Sequence, residues 1–256
     1  MPVFTINRKL TGCAGVVLLA LCWQIGAVWL NQPLLVPTPL AALRQIRFLA
    51  ASQDFWRHLG ASLLRGAVGF GLSFAAGAIL GFCAGKAAWL SSFLRPISVF
   101  IRSTPSMTLI ILALLWFKGD MVAIFVVFLV VFPIVFRNVE DGVSNLDSEL
   151  EEMIDLYQIK QGRKFTAFYL PGIMPFLAAA AASGLGMTWK VLIAAEVLAV
   201  PAWGIGAQLD AARLYLQTDK VFAWTVIVIG IGLCFDYLLD FLLRKSFWKW
   251  KESKYV

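Results

Sequence analysis

The chain has 256 residues, of which 60% are hydrophobic and only 14% charged, with a formal net charge of +7. A soluble globular chain carries about a quarter charged residues, and a water-dispersed body of this size could not hide so much apolar surface. Disorder, collagen and a disulfide scaffold are excluded by the same numbers, leaving a membrane protein; its apolar runs make it an all-α polytopic bundle of about six transmembrane helices.

Leu10–Leu43 contains no charged residue, and Leu10–Leu30 is long enough to cross a hydrocarbon core. Arg8 and Lys9 precede it; the run is too long for a signal peptide and lacks a convincing cleavage site, so it is expected as a retained span 1. Asn31, Gln32, Pro33, Pro37 and Pro39 then break the helix, and the stretch holding Arg44, Arg47, Asp54 and Arg57 is expected as an interfacial or short external helix. Gly66–Gly85 is charge-free and forms the body of span 2. Within it Gly69, Ser73, Gly77, Gly81 and Gly85 put a small residue at every fourth position, a helix-packing stripe that admits a second backbone. The plainer alternative is a flexible glycine-rich span.

Span 3 is expected over about Pro96–Phe117, kinked or started late by Pro105. After the short turn Lys118-Gly119-Asp120, span 4 runs from Met121 to about Phe136, which is brief unless it extends into its polar flank. Residues 137–169 form the longest polar stretch. Span 5 runs from near Gly172 to about Val200, with Pro175 suited to its first turn and Lys190 and Glu196 inside it. Span 6 covers about Val221–Leu243 before a basic tail. With both termini on the cytoplasmic side, thirteen Lys and Arg residues fall in inner segments against six in outer ones, which favours that orientation. The domain reading is a terminal helix and external linker over 1–55, a core over 56–245 and a basic cytoplasmic tail over 246–256.

Between spans 4 and 5, seven of the fifteen acids fall in sixteen residues: Glu140, Asp141, Asp147, Glu149, Glu151, Glu152 and Asp155. Ser148 can cap a helix, with Glu151 completing a capping box. Leu150, Met153, Ile154 and Tyr157 follow at i, i+3, i+4 and i+7, giving one apolar face. So short a helix is marginal alone. Its face either packs on the inner end of its own bundle or meets a partner, and periodicity divides evenly between the two.

The four cysteines (Cys13, Cys22, Cys83, Cys234) lie in apolar runs without metal-ligand spacing, so buried packing thiols are expected. His58, the single histidine, is placed outside the spans, and with it no metal site or hydrolase constellation is expected. No G-x-x-x-x-G-K-[ST] loop is present, so the chain does not cradle ATP in that way. No catalytic residue and no bound cofactor are assigned. Arg102, Lys190 and Glu196 are intramembrane charges that should face a cavity, a partner or the interface. One reading sets Arg102, Lys190 and Glu196 along an anion pathway shaped by Trp189; the other has Arg102 snorkelling to an interface and Lys190 paired with a carboxylate. Lys190 and Glu196 occupy different helix faces and should not pair. The loop 201–220, with Trp203, Gly204 and Gly206, is expected as a gate or docking surface.

The stretch Glu152-Met153-Ile154-Asp155-Leu156-Tyr157-Gln158, followed by Leu170-Pro171 and Pro175, resembles the EAA loop of the permease subunits of bacterial ABC importers. Gln158 stands where that motif has Gly, and Gly162 is the residue able to relieve the turn. Further along the chain, Leu35-Val36-Pro37-Thr38-Pro39, His58-Leu59 with Ser62-Leu63 and Arg65, the glycine stripe, and Leu115-Trp116-Phe117 resemble the nitrate/sulfonate/taurine branch. So do Asn138 with Gly142 and Asn145, Gly184-Leu185-Gly186 with Trp189, Ala195-Glu196, Gly204-Ile205-Gly206 and Gln217-Thr218-Asp219. The likeness covers roughly residues 34–245, with a turn at 118–120 shorter than usual in the sulfonate members. It implies a type I (MetI-like) permease of the bacterial inner membrane, a self-dimer joined to ABC ATPase subunits that hold ATP-Mg and served by an extracytoplasmic solute-binding protein. Lipid surrounds it and nucleic acid is no partner. In that setting Glu151, Glu152, Met153, Ile154, Asp155, Tyr157, Gln158 and Gly162, within a coupling loop of about 140–170, contact the ATPase; Met153, Ile154 and Tyr157 fill an apolar groove while Glu152 and Asp155 meet rim charges. The resemblance also implies a small anionic solute of nitrate, sulfonate or taurine type, without saying which. The competing readings are a secondary transporter or channel working without an ATPase, and an intramembrane enzyme.

Overall fold

A computed structural model describes the backbone of residues 4–32 and 34–252 and the side chains of 15–32, 34–239 and 241. Arg8, Lys9, Cys13, Arg244, Lys245 and the tail 246–256 lie outside the described side chains, and Pro33 outside the described residues. The described residues are helical with no strand: α1 (Phe4–Leu30), α2 (Pro39–Ala50), α3 (Gln53–Lys86), α4 (Ala88–Ser103), α5 (Ser106–Trp116), α6 (Asp120–Ser144), α7 (Ser148–Leu156), α8 (Gln161–Lys164), a π-helical turn (Phe165–Tyr169), α9 (Leu170–Ala199), α10 (Ile205–Leu214) and α11 (Thr218–Glu252).

Local chemistry sets several boundaries. Thr38 caps α2 by accepting from the Ala41 N–H at 3.3 Å, with Pro39 in the first turn, where its missing N–H costs nothing. Ser52 caps α3 in the same way through the Phe55 N–H. Helix α3 thus starts well before the expected span, and His58, expected outside the spans, is a buried helical residue together with Ser62 and Arg65.

The α3–α6 pair is the spine of the bundle. A Cβ at Gly69 would lie 2.8 Å from Val127 Cγ1, at Gly77 2.8 Å from Val135 Cβ, at Gly81 3.0 Å from Val139 Cβ, and at Gly85 2.5 Å from Val143 Cβ. Ser73 continues the row, its hydroxyl donating to the Gly69 carbonyl at 2.6 Å. The partner is always 58 residues later, so α3 and α6 run parallel and in register. Small residues on one helix receive a β-branched ridge from the other, the close packing expected where lipid supplies no hydrophobic drive.

A parallel pair requires the chain to return between its members. Helices α4 and α5 make that return, but not as one kinked span: they meet at a 100° bend across Thr104-Pro105. Pro105 has no N–H to donate and forces Thr104 to extended backbone (φ −80°, ψ 127°), which ends α4 outright. Gly119 adopts φ +56° in the short turn into α6, a left-handed conformation that suits glycine.

Four helices among the described residues are long and apolar enough to cross a membrane, or five with the bent pair as one span; Gly15–Leu30 is a shorter apolar helix. The fourth extends into its polar flank, to Ser144. The fifth is longer than expected, running over 161–199 without a break. Its π-helical turn precedes Pro171, and Pro175 sits inside the helix instead of opening it, because the helix has already begun upstream at Gln161. Cys22, Cys83 and Cys234 are exposed, not buried as expected. In a membrane bundle apolar side chains face outward as readily as inward, so burial statistics from soluble proteins do not apply.

Candidate functional site

Helix α3 carries two separate polar networks, one at its C-terminal end and one around Arg65, about a third of the way from its start. Arg65 and Lys86 are 21 residues apart on one helix, about 31 Å at 1.5 Å per residue, which matches the ~30 Å thickness of a hydrocarbon core.

At the far end, α7 is capped by Asp147, whose carboxylate accepts from the N–H groups of Glu149 (3.0 Å) and Leu150 (3.3 Å). Ser148 is therefore the first helical residue and not the cap. Glu151, released from any capping box, accepts hydrogen bonds from Lys86, from the Tyr169 hydroxyl and from Lys164, the last at 3.1 Å. Partial burial works to raise the Glu151 carboxyl, but the donors from Lys86, Tyr169 and Lys164 outweigh it and hold the group at about 2. Asp155 binds Lys164 at 2.6 Å. Glu151 and Asp155 thus anchor α7 to α3 and to the root of α9; Asp155 does so while its carboxylate stays exposed. Glu152 is exposed, with no ion pair among the described residues.

No residue of α7 is buried. Met153 is 48% and Tyr157 73% exposed, and Leu150 and Leu156 are exposed as well, while Ile154 is half-buried. The helix is tied to its own bundle by charge while its apolar side chains stay outside. Gln158 takes φ +52°, occupying the left-handed position itself; Gly162 sits inside α8 in open space and relieves nothing there.

At the near end, Glu196 is 0% and Arg65 5% exposed. Arg65 bonds Glu196 and the Trp203 carbonyl through its terminal nitrogens, and Asp120 at 2.9 Å through Nε. Ser62 donates to Glu196 at 2.7 Å and accepts from the Ile205 N–H at 2.9 Å. The Gly206 N–H donates to Glu196 at 3.0 Å, and the Gly204 N–H to His58 Nδ1 at 2.9 Å. A Cβ at Gly206 would meet Glu196 Cβ and lie 2.6 Å from the Val197 nitrogen, so only glycine lets α10 fold this tightly onto α9. This hub clamps the loop after α9 and the start of α10 against α3 and α6. It was not assigned as a site from sequence, although His58, Ser62 and Arg65, at i, i+4 and i+7, put three polar groups on one face of an apolar helix.

The four expected pathway residues separate. Glu196 belongs to the hub. Trp189 is buried, its indole N–H donating to the Val228 carbonyl at 2.9 Å, and it packs edge-on against Phe235, so it joins α9 to α11 and lines no passage within this chain. Arg102 and Lys190 are exposed, and neither forms an ion pair among the described residues. Half of the segment expected as a loop at 201–220 is the helix α10. Among the described residues no group of His, Cys, Asp and Glu could hold a metal ion.

Residues 73–247 match the family described as binding-protein-dependent transport system inner membrane component. The chain is 32% identical over 238 residues to the putative aliphatic sulfonates transport permease protein SsuC of Escherichia coli (strain K12), covering 91% of this chain and 89% of that one. It is 27% identical over 248 residues to the taurine transport system permease protein TauC of the same organism, covering 94% and 90%. Among solved structures, an inward-facing MetNI methionine ABC transporter superimposes with a TM-score of 0.57 at 18% identity, over 77% of this chain and 96% of that one. At that identity the match establishes the fold.

Proposed function

This chain belongs to the binding-protein-dependent transport system inner membrane components, the permease subunits of ABC importers, and from that membership we propose that it moves a small sulfonate-bearing solute inward, driven by a separate ATPase docked on α7. The observation that carries the docking is the division of labour on α7: Glu151 and Asp155 hold it to the bundle while Met153, Leu156 and Tyr157 remain outside. A nine-residue helix with exposed apolar side chains is marginal in water and fits a hydrophobic groove on a partner. Because its anchors reach α3 through Lys86 and the continuous span 161–199 through Lys164 and Tyr169, movement of the docked motor displaces two spanning helices together.

In this reading α7 lies on the cytoplasmic side, the Arg65–Glu196 hub lies on the outer side where a solute-binding protein delivers its cargo, and a second copy completes the passage. The sulfonate assignment rests on the names of the relatives. The decisive experiment combines Met153→Asp with Tyr157→Asp. Membrane insertion is expected to be intact and ATPase co-purification lost, whereas Leu216→Asp at the opposite end should retain the ATPase. ATPase retention by the double variant, or solute uptake into vesicles by the purified chain alone, would overturn the proposal and restore the secondary-transporter alternative.

A further inference from the structure

Between α4 and α6 lies a cavity of about 190 Å³ lined by Arg95, Ser98, Val99, Arg102, Phe136 and Arg137. Its volume is more than ten times the ~10–15 Å³ that one water requires. Arg95, Ser98 and Arg102 stand at i, i+3 and i+7, one face of α4. Ser98 is 5% exposed, and its hydroxyl oxygen is the one buried side-chain polar atom without a hydrogen-bond partner among the described residues. Buried polar groups are normally satisfied, so an orphan facing a cavity lined by three arginines points to a partner from outside the chain. The charges define what that partner is. Arg137 is already engaged by Glu140 at 2.9 Å and Asp141 at 3.7 Å, while Arg95 and Arg102 have no ion pair among the described residues. Three guanidinium groups against two carboxylates leave one positive charge, suited to a singly charged oxyanion that accepts from planar N–H forks and a hydroxyl. Val99 and Phe136 supply an apolar wall for a short carbon chain.

We propose that this cavity is a binding subsite for the sulfonate group of the transported solute, with Arg102, Arg95 and Ser98 as its donors. The proposal deepens the reading of the chain as a sulfonate importer and rests on it. An anionic lipid headgroup shares the oxyanion chemistry, and the test separates the two sources.

The chain, purified with its bound ATPase in phosphatidylcholine nanodiscs, is titrated with ethanesulfonate while its thermal unfolding midpoint is followed. A saturable rise is expected, absent with the neutral ethyl methyl sulfone. Arg102→Gln should raise the half-saturating concentration at least tenfold, Ser98→Ala about threefold, and Arg102→Lys less than Arg102→Gln; Arg57→Gln should change nothing. Should Arg102→Gln fail to assemble, Ser98→Ala and Arg102→Lys carry the test. No saturable rise in the unaltered complex, or a rise unaffected by both the arginine and serine variants, would overturn the subsite. So would stabilisation by phosphatidylglycerol alone, which would assign the cavity to a lipid phosphate. The importer reading fails separately, if the intact system with its binding protein shows no ATP-dependent ethanesulfonate uptake.

Discussion

Replacing Gly81 by alanine isolates the packing of the α3–α6 spine with a single methyl group. A Cβ there would lie 2.6 Å from the Phe136 carbonyl oxygen, 3.0 Å from Val139 Cβ and 3.3 Å from the Glu140 nitrogen. Two of those three are backbone atoms of a regular helix and cannot swing aside, so the helices must separate along the whole row. Overpacking of this kind costs about 1–3 kcal/mol. Ten residues earlier on the same helix, Gly71 has nothing within 4 Å of the same position. There alanine meets no obstacle and should gain about 0.4–1 kcal/mol from the reduced freedom of the unfolded chain. The two substitutions are chemically identical and share that gain, so their difference, about 1–3 kcal/mol, reports the close approach alone. Reversible unfolding of the purified chain in mixed micelles measures it as a shift in midpoint. Equal stability of Gly81→Ala and Gly71→Ala would refute the parallel register.

Removing one member of the buried ion pair, as in Arg65→Ala or Glu196→Ala, should cost about 3–5 kcal/mol by leaving a buried charge uncompensated, and limited proteolysis should then cut within 200–216. The joint change of Arg65 and Glu196 to leucine should recover part of that loss. Folding lowers the Glu151 carboxyl from 4.5 to about 2, so its contribution to α7 docking is complete above pH 4.5 and fades as pH falls toward 2. Hydrogen exchange of α7 should follow that window, and Glu151→Gln should show faster exchange at pH 7 with no such titration. Gln158→Gly should stabilise the turn after α7 by about 1 kcal/mol, since a side chain at φ +52° carries a steric cost that glycine lacks; calorimetric destabilisation would contradict this.

Pattern and chemistry carried different parts of the architecture. The four-residue spacing of small side chains in 69–85 marks a surface for another helix, but only the matching valines at 127, 135, 139 and 143 reveal which one, and contacts 58 residues apart leave no local trace. Pro105 announces an interruption; whether it bends or severs a helix depends on what packs beyond it, and here it severs. In the acidic loop, Asp147 and Ser148 are both good caps, and the choice falls to Asp147 because Glu151 is drawn away by two lysines distant in sequence. The same long-range pairing hides the Arg65–Glu196 hub: 131 residues separate its charges, and hydropathy registers each one only as a blemish in an apolar run. Arg102 stands out in sequence as an intramembrane charge, yet Ser98 beside it becomes informative only when its hydroxyl is seen to be sealed in without a partner.

The unbroken length of α3 has a mechanical corollary. Lys86 and Arg65 share one rod, and the row of glycines locks that rod against α6 so that neither can slide along the other without collision. A push delivered at Glu151 therefore has no soft joint in which to dissipate between there and Glu196. Under the proposed docking it would arrive as a tilt of the paired helices, prising at the hydrogen bonds that fasten α10. With a motor docked on α7 as proposed, a stroke applied on one face of the membrane would be converted in this way into unlatching on the other.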